Sequence, residues 1–129
     1  MNTKTFYKNL KQEDINPLEE VVKVLKEDPR VDVFAIDKAA ERDHCMEYKT
    51  IDLLLERVNK TGYVLSLDNI KDKLGAKVDV TRTNHTIDDK SKYDSYVTDN
   101  RIVEIMHHRT KIRLFYTINS NGVSPKISL

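Results

Sequence analysis

Hydrophobic residues in the first quarter of the chain repeat with the spacing of an α-helix. They stand at i, i+3, i+4 and i+7, so one stripe along the helix contains Leu18, Val21, Val22 and Leu25. Pro17 suits the first helical position, and Asp28 precedes a proline, where a residue is disfavoured in the helical region. We therefore predict a helix over 17–28, followed by a short strand over 31–36.

The same helical spacing recurs twice in the middle of the chain. It predicts a second helix over 50–60, with an apolar stripe of Ile51, Leu54, Leu55 and Val58. Gly62 stands where it can end this helix. The spacing also predicts a third helix over 66–74, capped by Ser66 and ended by Gly75. A weaker apolar pattern over 6–10 indicates another short helix.

After Gly75 the apolar residues alternate with polar ones, as they do in strands. This alternation predicts a strand around 78–80 and two more over 102–106 and 111–118, joined through 107–110. Residues 119–122 have the chemistry of a turn, and 123–129 should close the sheet as an edge strand, because Pro125 lacks a backbone donor.

Helices first and strands later define the predicted fold class, α+β, with N-terminal helices packed on a C-terminal antiparallel β-meander. We expect a single domain over 1–129, helical over about 1–75 and β over about 76–129. Charged residues make up 33% of the chain and hydrophobic ones 39%, so the core should be lean. The lone cysteine, Cys45, and the lack of a long apolar stretch or a secretory leader favour the cytoplasm.

Charge is unevenly distributed along the chain. The net charge is +1, yet residues 101–129 hold five basic side chains and one acidic one. In the strand over 111–118, Lys111, Arg113 and Phe115 share one face, and Arg109 lies at the preceding turn. An aromatic side chain flanked by basic ones is typical of a binding hot spot, so we predict that these four residues contact an anionic partner.

The residue types that perform catalysis do not form a recognised motif. His107 and His108 are adjacent, so on a regular strand their rings would point to opposite faces and could not share one metal. Cys45 beside His44 is a single pair without metal-ligand spacing, and there is no glycine-rich phosphate loop. We therefore expect no metal site, no cofactor and no catalysis.

The stretch Lys111 to Ile118, a turn, and then Val123 to Leu129 resembles the sheet of the RelE-type mRNA-cleaving toxins. The resemblance covers about the last quarter of the chain and implies a metal-independent ribonuclease. Arg113 would then stabilise transition-state charge, and Tyr116 or a nearby histidine would transfer protons. The odd spacing of Arg113 and Tyr116 places them on opposite faces of a regular strand, which argues against this alternative.

A second alternative is a winged-helix DNA-binding domain, which follows from the predicted order of helices and strands. The helix over 66–74 would enter the major groove and the hairpin over 101–118 would be the wing. However, its Lys71 and Lys73 are offset by Asp68 and Asp72, whereas a recognition helix is generally basic.

The hypothesis favoured by these patterns is a small, non-catalytic regulatory protein that binds a larger protein or protein–nucleic acid assembly. One specific form is a phage-encoded protein that acts on host transcription by binding RNA polymerase in the host cytoplasm. Another is a phage inhibitor of a host defence system. Direct contact with nucleic acid is left open, and neither a membrane nor a small-molecule cofactor is expected.

Overall fold

The computed structural model describes residues 3–36, 50–58, 60–82, 101–117 and 126–129. Within these ranges the chain forms three helices and six strands. In chain order they are α1 (Thr3–Lys8), α2 (Gln12–Leu25), β1 (Asp32–Ile36), β2 (Thr50–Glu56), α3 (Lys60–Leu74), β3 (Lys77–Arg82), β4 (Arg101–His107), β5 (Thr110–Thr117) and β6 (Lys126–Ser128). The predicted α+β class and the single domain are confirmed.

The strands form one mixed sheet in the order β3-β4-β5-β2-β1-β6. The neighbours β2 and β5 are parallel, and every other pair in this sheet is antiparallel. The strands β3, β4 and β5 follow one another as a meander, as predicted. The sheet continues beyond this meander with β2 and β1 from the first half of the chain, and β6 pairs with β1 at the edge.

One face of the sheet, which we call the helix face, packs against α2 and α3. It carries alternate residues of the central strands, including Leu53, Ile105, Ile112 and Leu114, all fully buried. The predicted stripe of α2 faces this layer, and from α3 come Tyr63, Leu67 and Ile70. Each fully buried aliphatic side chain contributes about 1.5–3 kcal/mol relative to an exposed one, so this layer is the main source of stability.

The other side of the sheet, which we call the second face, is also buried along its central strands. Ile36, Leu54 and Phe115 have little or no exposed surface there, and they do not belong to the helix-side cluster. Two charged side chains, Asp52 and Arg113, are buried beside them. A sheet buried on both faces explains why β2 is almost continuously apolar.

The predicted helix over 50–60 is wrong, because residues 50–56 form the strand β2. The spacing of Ile51, Leu54 and Leu55 fits a helical stripe, but it also fits a short strand that is buried on both faces. Leu53, Leu54 and Leu55 are all fully buried, so burial here has no helical period. The element order that suggested a winged-helix domain depends on this helix.

Two helix starts also differ from the predictions. α2 begins at Gln12 rather than at Pro17, which lies within the helix, and α3 begins at Lys60 rather than near Ser66. The Ser66 hydroxyl donates to the Gly62 carbonyl one turn earlier, 3.0 Å away, so Ser66 is not a cap. The predicted end of α3 is confirmed: Gly75 has φ +64 and its N–H donates to the Lys71 carbonyl at 3.0 Å.

Several sequence predictions fall outside the described residues. These are the turn over 119–122, the start of the closing strand with Pro125, and the His44–Cys45 pair. The second half of that closing strand is β6, which lies at the predicted edge position. It pairs with β1 rather than with β5, so it does not continue the predicted meander. The described residues therefore test the predictions for the meander, for the helices and for the charged residues of β2, β4 and β5.

Candidate functional site

The β4–β5 hairpin brings the two adjacent histidines together. His107 is the last residue of β4 and pairs with Thr110, so only His108 and Arg109 form the turn between the strands. His108 has φ +56, outside the extended region of a strand, and its ring centroid lies 4.4 Å from that of His107. The expectation that the two rings point to opposite faces is therefore wrong, because it assumed a regular strand where the chain turns.

The base of this hairpin is tied to α2 by two side-chain contacts. The His107 ring, whose side chain is 6% exposed, points to the helix face and shares a hydrogen bond between its Nε2 and the Glu20 carboxylate. The Thr110 hydroxyl donates to Asp14 Oδ1 at 2.7 Å. Both carboxylates come from α2, so the helix fixes the position of the hairpin turn.

A cleft of about 450 Å³ lies between α2, the end of α3 and this hairpin. We call it the hairpin cleft, and its charged and imidazole side chains are those of Glu20, Lys23, Glu27, Lys73, His107 and His108. Lys73 forms an ion pair with Glu27 across the cleft, which joins the end of α3 to the residues that follow α2. Its volume lies within the range of ligand pockets, about 300–1,000 Å³, but its lining side chains are mostly charged or imidazole rather than apolar.

Glu20 is the acidic group of the cleft that contacts His107. Its hydrogen bond with His107 lowers the pKa of the carboxyl below the ordinary 4.5. The charges of His107 and His108 also lower this pKa, whereas partial desolvation raises it. The side chain is 50% exposed. At neutral pH the cleft therefore presents an ionised carboxylate that a ligand can reach from solvent.

Glu20, His107 and His108 have the chemistry of metal ligands and lie close together. One donor atom from each residue lies within 4.8 Å of the other two. Within the described ranges, this is the group of three or more His, Cys, Asp or Glu side chains that is close enough to share an ion. Sequence reasoning missed the site because Glu20 is far away along the chain and the turn at His108 is not signalled by glycine.

The four residues predicted to bind a partner do not form one exposed surface. Lys111, Arg113 and Phe115 do share the second face, as their alternation predicts. However, Arg113 is only 8% exposed and Phe115 3%. Lys111 is half-buried, and Arg109 is exposed at the turn. A role for these residues in partner binding stays a prediction.

Arg113 is held by a buried carboxylate on the neighbouring parallel strand. Its Nε and Nη2 donate to the two oxygens of Asp52 at 2.7 and 2.6 Å, and the Asp52 side chain has no exposed surface. The guanidinium also lies 5.7 Å from the centre of the Phe115 ring. Such a two-pronged pair fixes the guanidinium plane and the register of both strands, which is a structural role. The sequence signal that was overlooked is Asp52 within an otherwise apolar run.

Tyr116 lies on the other side of the sheet from Arg113. Its ring stacks against Tyr63 of α3 with centroids 4.1 Å apart, and the Tyr63 hydroxyl donates to the Leu114 carbonyl at 2.8 Å. Arg113 and Tyr116 are both buried, and on opposite faces they do not share a site. The geometry of the described residues thus offers no support for the roles implied by the ribonuclease resemblance.

Comparison with known proteins adds no further constraint. No protein-family model, curated protein or solved structure matches the chain. None of the helices in the described ranges is both long enough and apolar enough to cross a membrane. Any function proposed for the chain therefore rests on its fold and on the hairpin cleft.

Proposed function

We propose that the protein is a small, non-catalytic binding protein that attaches to a larger macromolecular partner through the hairpin cleft and the exposed turn beside it. The observation that carries this proposal is the cleft itself, where α2, α3 and the hairpin turn direct charged side chains into one opening. Among the described residues, Arg113 and Phe115 are buried, so the proposed contact surface is the exposed turn and not the strand.

Two further observations support binding rather than catalysis. The arginine that a ribonuclease would use is engaged with Asp52, and the tyrosine is packed in the core. At the turn, Arg109 and His108 are exposed, and the segment around them has a basic excess. A basic turn beside a cleft favours a partner with an acidic surface, because complementary charge speeds the encounter. RNA polymerase remains the specific partner suggested by sequence alone.

The test is affinity capture with matched charge-reversal variants. The tagged full chain is incubated with a lysate of its native cell, and the wild type, Arg109→Glu and Lys8→Glu are compared. Lys8 is exposed at the end of α1, which packs near β6 at the opposite edge of the sheet, so it controls for a change in net charge.

We expect one stoichiometric partner to be retained by the wild type and by Lys8→Glu, and to be lost or strongly reduced with Arg109→Glu. Equal capture by all three proteins would show that the turn is not the contact. Absence of any stoichiometric partner would count against a binding function altogether.

A further inference from the structure

The donor set in the hairpin cleft selects one class of metal ion. His107 and His108 offer imidazole nitrogens and Glu20 offers a carboxylate oxygen. Two nitrogens and one oxygen suit zinc and neighbouring transition metals, whereas calcium and magnesium prefer oxygen ligands alone. Three protein ligands of this kind leave one position of a tetrahedral ion for water or another ligand.

The distances in the cleft are compatible with such an ion after a small adjustment. In a tetrahedral zinc site with bonds of about 2.0–2.2 Å, donor atoms stand roughly 3.4 Å apart. The three donor atoms here are within 4.8 Å of one another. Glu20 and His108 are exposed, so their side chains are free of core packing and can close on the buried His107 ring. The ion would replace the hydrogen bond between Glu20 and His107.

The backbone at the turn supports the same interpretation. A two-residue hairpin turn with positive φ at its first residue alone generally has glycine there. His108 occupies that position with φ +56, at a cost in backbone strain that glycine would not incur. This conformation directs the second imidazole next to the first, with the two ring centroids 4.4 Å apart.

The surrounding charges do not oppose a cation. The cleft contains two lysines, Lys23 and Lys73, and two glutamates, Glu20 and Glu27. Lys73 is already paired with Glu27. Before an ion binds, these side chains are balanced overall, and the carboxylate of Glu20 lies on the side of the two histidines.

We propose that Glu20, His107 and His108 bind a transition-metal ion of the zinc class, with one coordination position open to the hairpin cleft. The site would join α2 to the β4–β5 hairpin more firmly than the hydrogen bond alone. It goes beyond the proposed partner binding and does not depend on it, because the ion would bind the isolated chain.

The experiment is a calorimetric titration of zinc into purified full-length chain that has been freed of metal with a chelator. The variant is His108→Gly, which removes the ligand and also suits the positive φ, so the fold should be kept or slightly stabilised. Lys8→Ala, an exposed change at the end of α1 and outside the cleft, is the control. Thermal unfolding with and without zinc provides a second measurement, since a ligand of the folded state raises Tm.

We expect one equivalent of zinc per wild-type chain and unchanged binding by Lys8→Ala. His108→Gly should bind at least about 100-fold more weakly and lose the rise in Tm, because it lacks one of three ligands. The proposal is overturned if wild-type protein binds no zinc, or if His108→Gly binds it as tightly. Loss of binding in Cys45→Ser would also overturn it, because Cys45 is not among the proposed ligands. None of these results depends on partner capture, so the two proposals fail separately.

Discussion

Two side-chain pairs that link the β4–β5 hairpin to distant parts of the chain differ in their surroundings. On the second face, Arg113 is bound by Asp52 with both oxygens engaged and no surface of that carboxylate exposed. At the turn, His107 is bound by Glu20, whose side chain is half exposed in the hairpin cleft. Both pairs link elements that are distant in sequence, yet only the second can be reached by a ligand.

The difference shows how burial separates a structural pair from a binding site. A guanidinium that donates twice to one buried carboxylate has its geometry fixed, so its function is to hold two strands together. A carboxylate that shares one hydrogen bond and faces solvent still has oxygen lone pairs that can bind a ligand. The sequence features that suggested binding, Arg113 and Phe115, thus belong to the interior, whereas the exposed Glu20 and His108 lie at the turn.

The largest expected effect comes from breaking the buried pair. Arg113→Ala leaves the Asp52 carboxylate buried without its partner guanidinium, which should lower the free energy of unfolding by about 3–5 kcal/mol. Urea denaturation followed by circular dichroism measures this change. Arg30→Ala, which removes the exposed pair with Asp28, is the control and should have no detectable effect. Equal stability of Arg113→Ala and wild type would show that the second face is not a closed interior.

The two faces of the sheet can be compared on a single strand. Leu53 points to the helix face and Leu54 to the second face, and both are fully buried. Leu53→Ala and Leu54→Ala should each cost about 2–5 kcal/mol, because each leaves a cavity in a packed layer. If Leu54→Ala cost less than about 1 kcal/mol in the same denaturation assay, the second face would be loosely covered, and Arg113 and Phe115 could again be considered accessible.

A smaller effect is expected for the polar contact that holds β5 under α3. Tyr63→Phe removes the hydroxyl that donates to the Leu114 carbonyl at 2.8 Å and keeps the ring stacked on Tyr116. The loss should be about 0.5–1.5 kcal/mol in the free energy of unfolding. A neutral result would mean that water replaces the hydroxyl, and the helix face would then be less dry than its burial indicates.

The smallest effect concerns the pKa of Glu20 in the metal-free protein. Its pKa is lowered by the hydrogen bond with His107, so the stabilisation it provides is present above the ordinary value of 4.5 and is lost as the pH falls through the lowered value. His107→Gln should raise the pKa of Glu20 toward 4.5. Titration of the carboxyl carbon by NMR measures both values, and an unchanged pKa in the variant would show that the contact does not persist in solution.

Much of the fold follows from local patterns in the chain. The stripe of Leu18 and Leu25, the glycine stop at Gly75 and the alternation over 111–118 each depend on neighbouring residues, and all three were predicted. Residues 50–56 were assigned wrongly because a short apolar run buried on both faces has no diagnostic period. Its pairing with β1 and β5 identifies this segment as a strand, and both partners lie elsewhere in the sequence.

The candidate site was less predictable because its contacts are between distant segments. Glu20 and His107 are separated by most of the chain, and nothing local indicates that α2 lies beside the hairpin. Arg113 is buried against Asp52 of the neighbouring strand. The predicted helix over 50–60 gave no reason to place Asp52 beside Arg113. A basic and aromatic alternation therefore predicted a shared face correctly, but it could not predict whether that face is exposed.

The most direct test of where the binding chemistry lies is an NMR titration of the histidine rings with zinc. The chain has four histidines, so His44 and His85 provide internal references for His107 and His108. We expect the ring signals of His107 and His108 to shift together and to saturate at one equivalent, while those of His44 and His85 stay unchanged. Shifts at His44, beside Cys45, without a change at His107 and His108 would contradict the assignment of binding to the hairpin cleft.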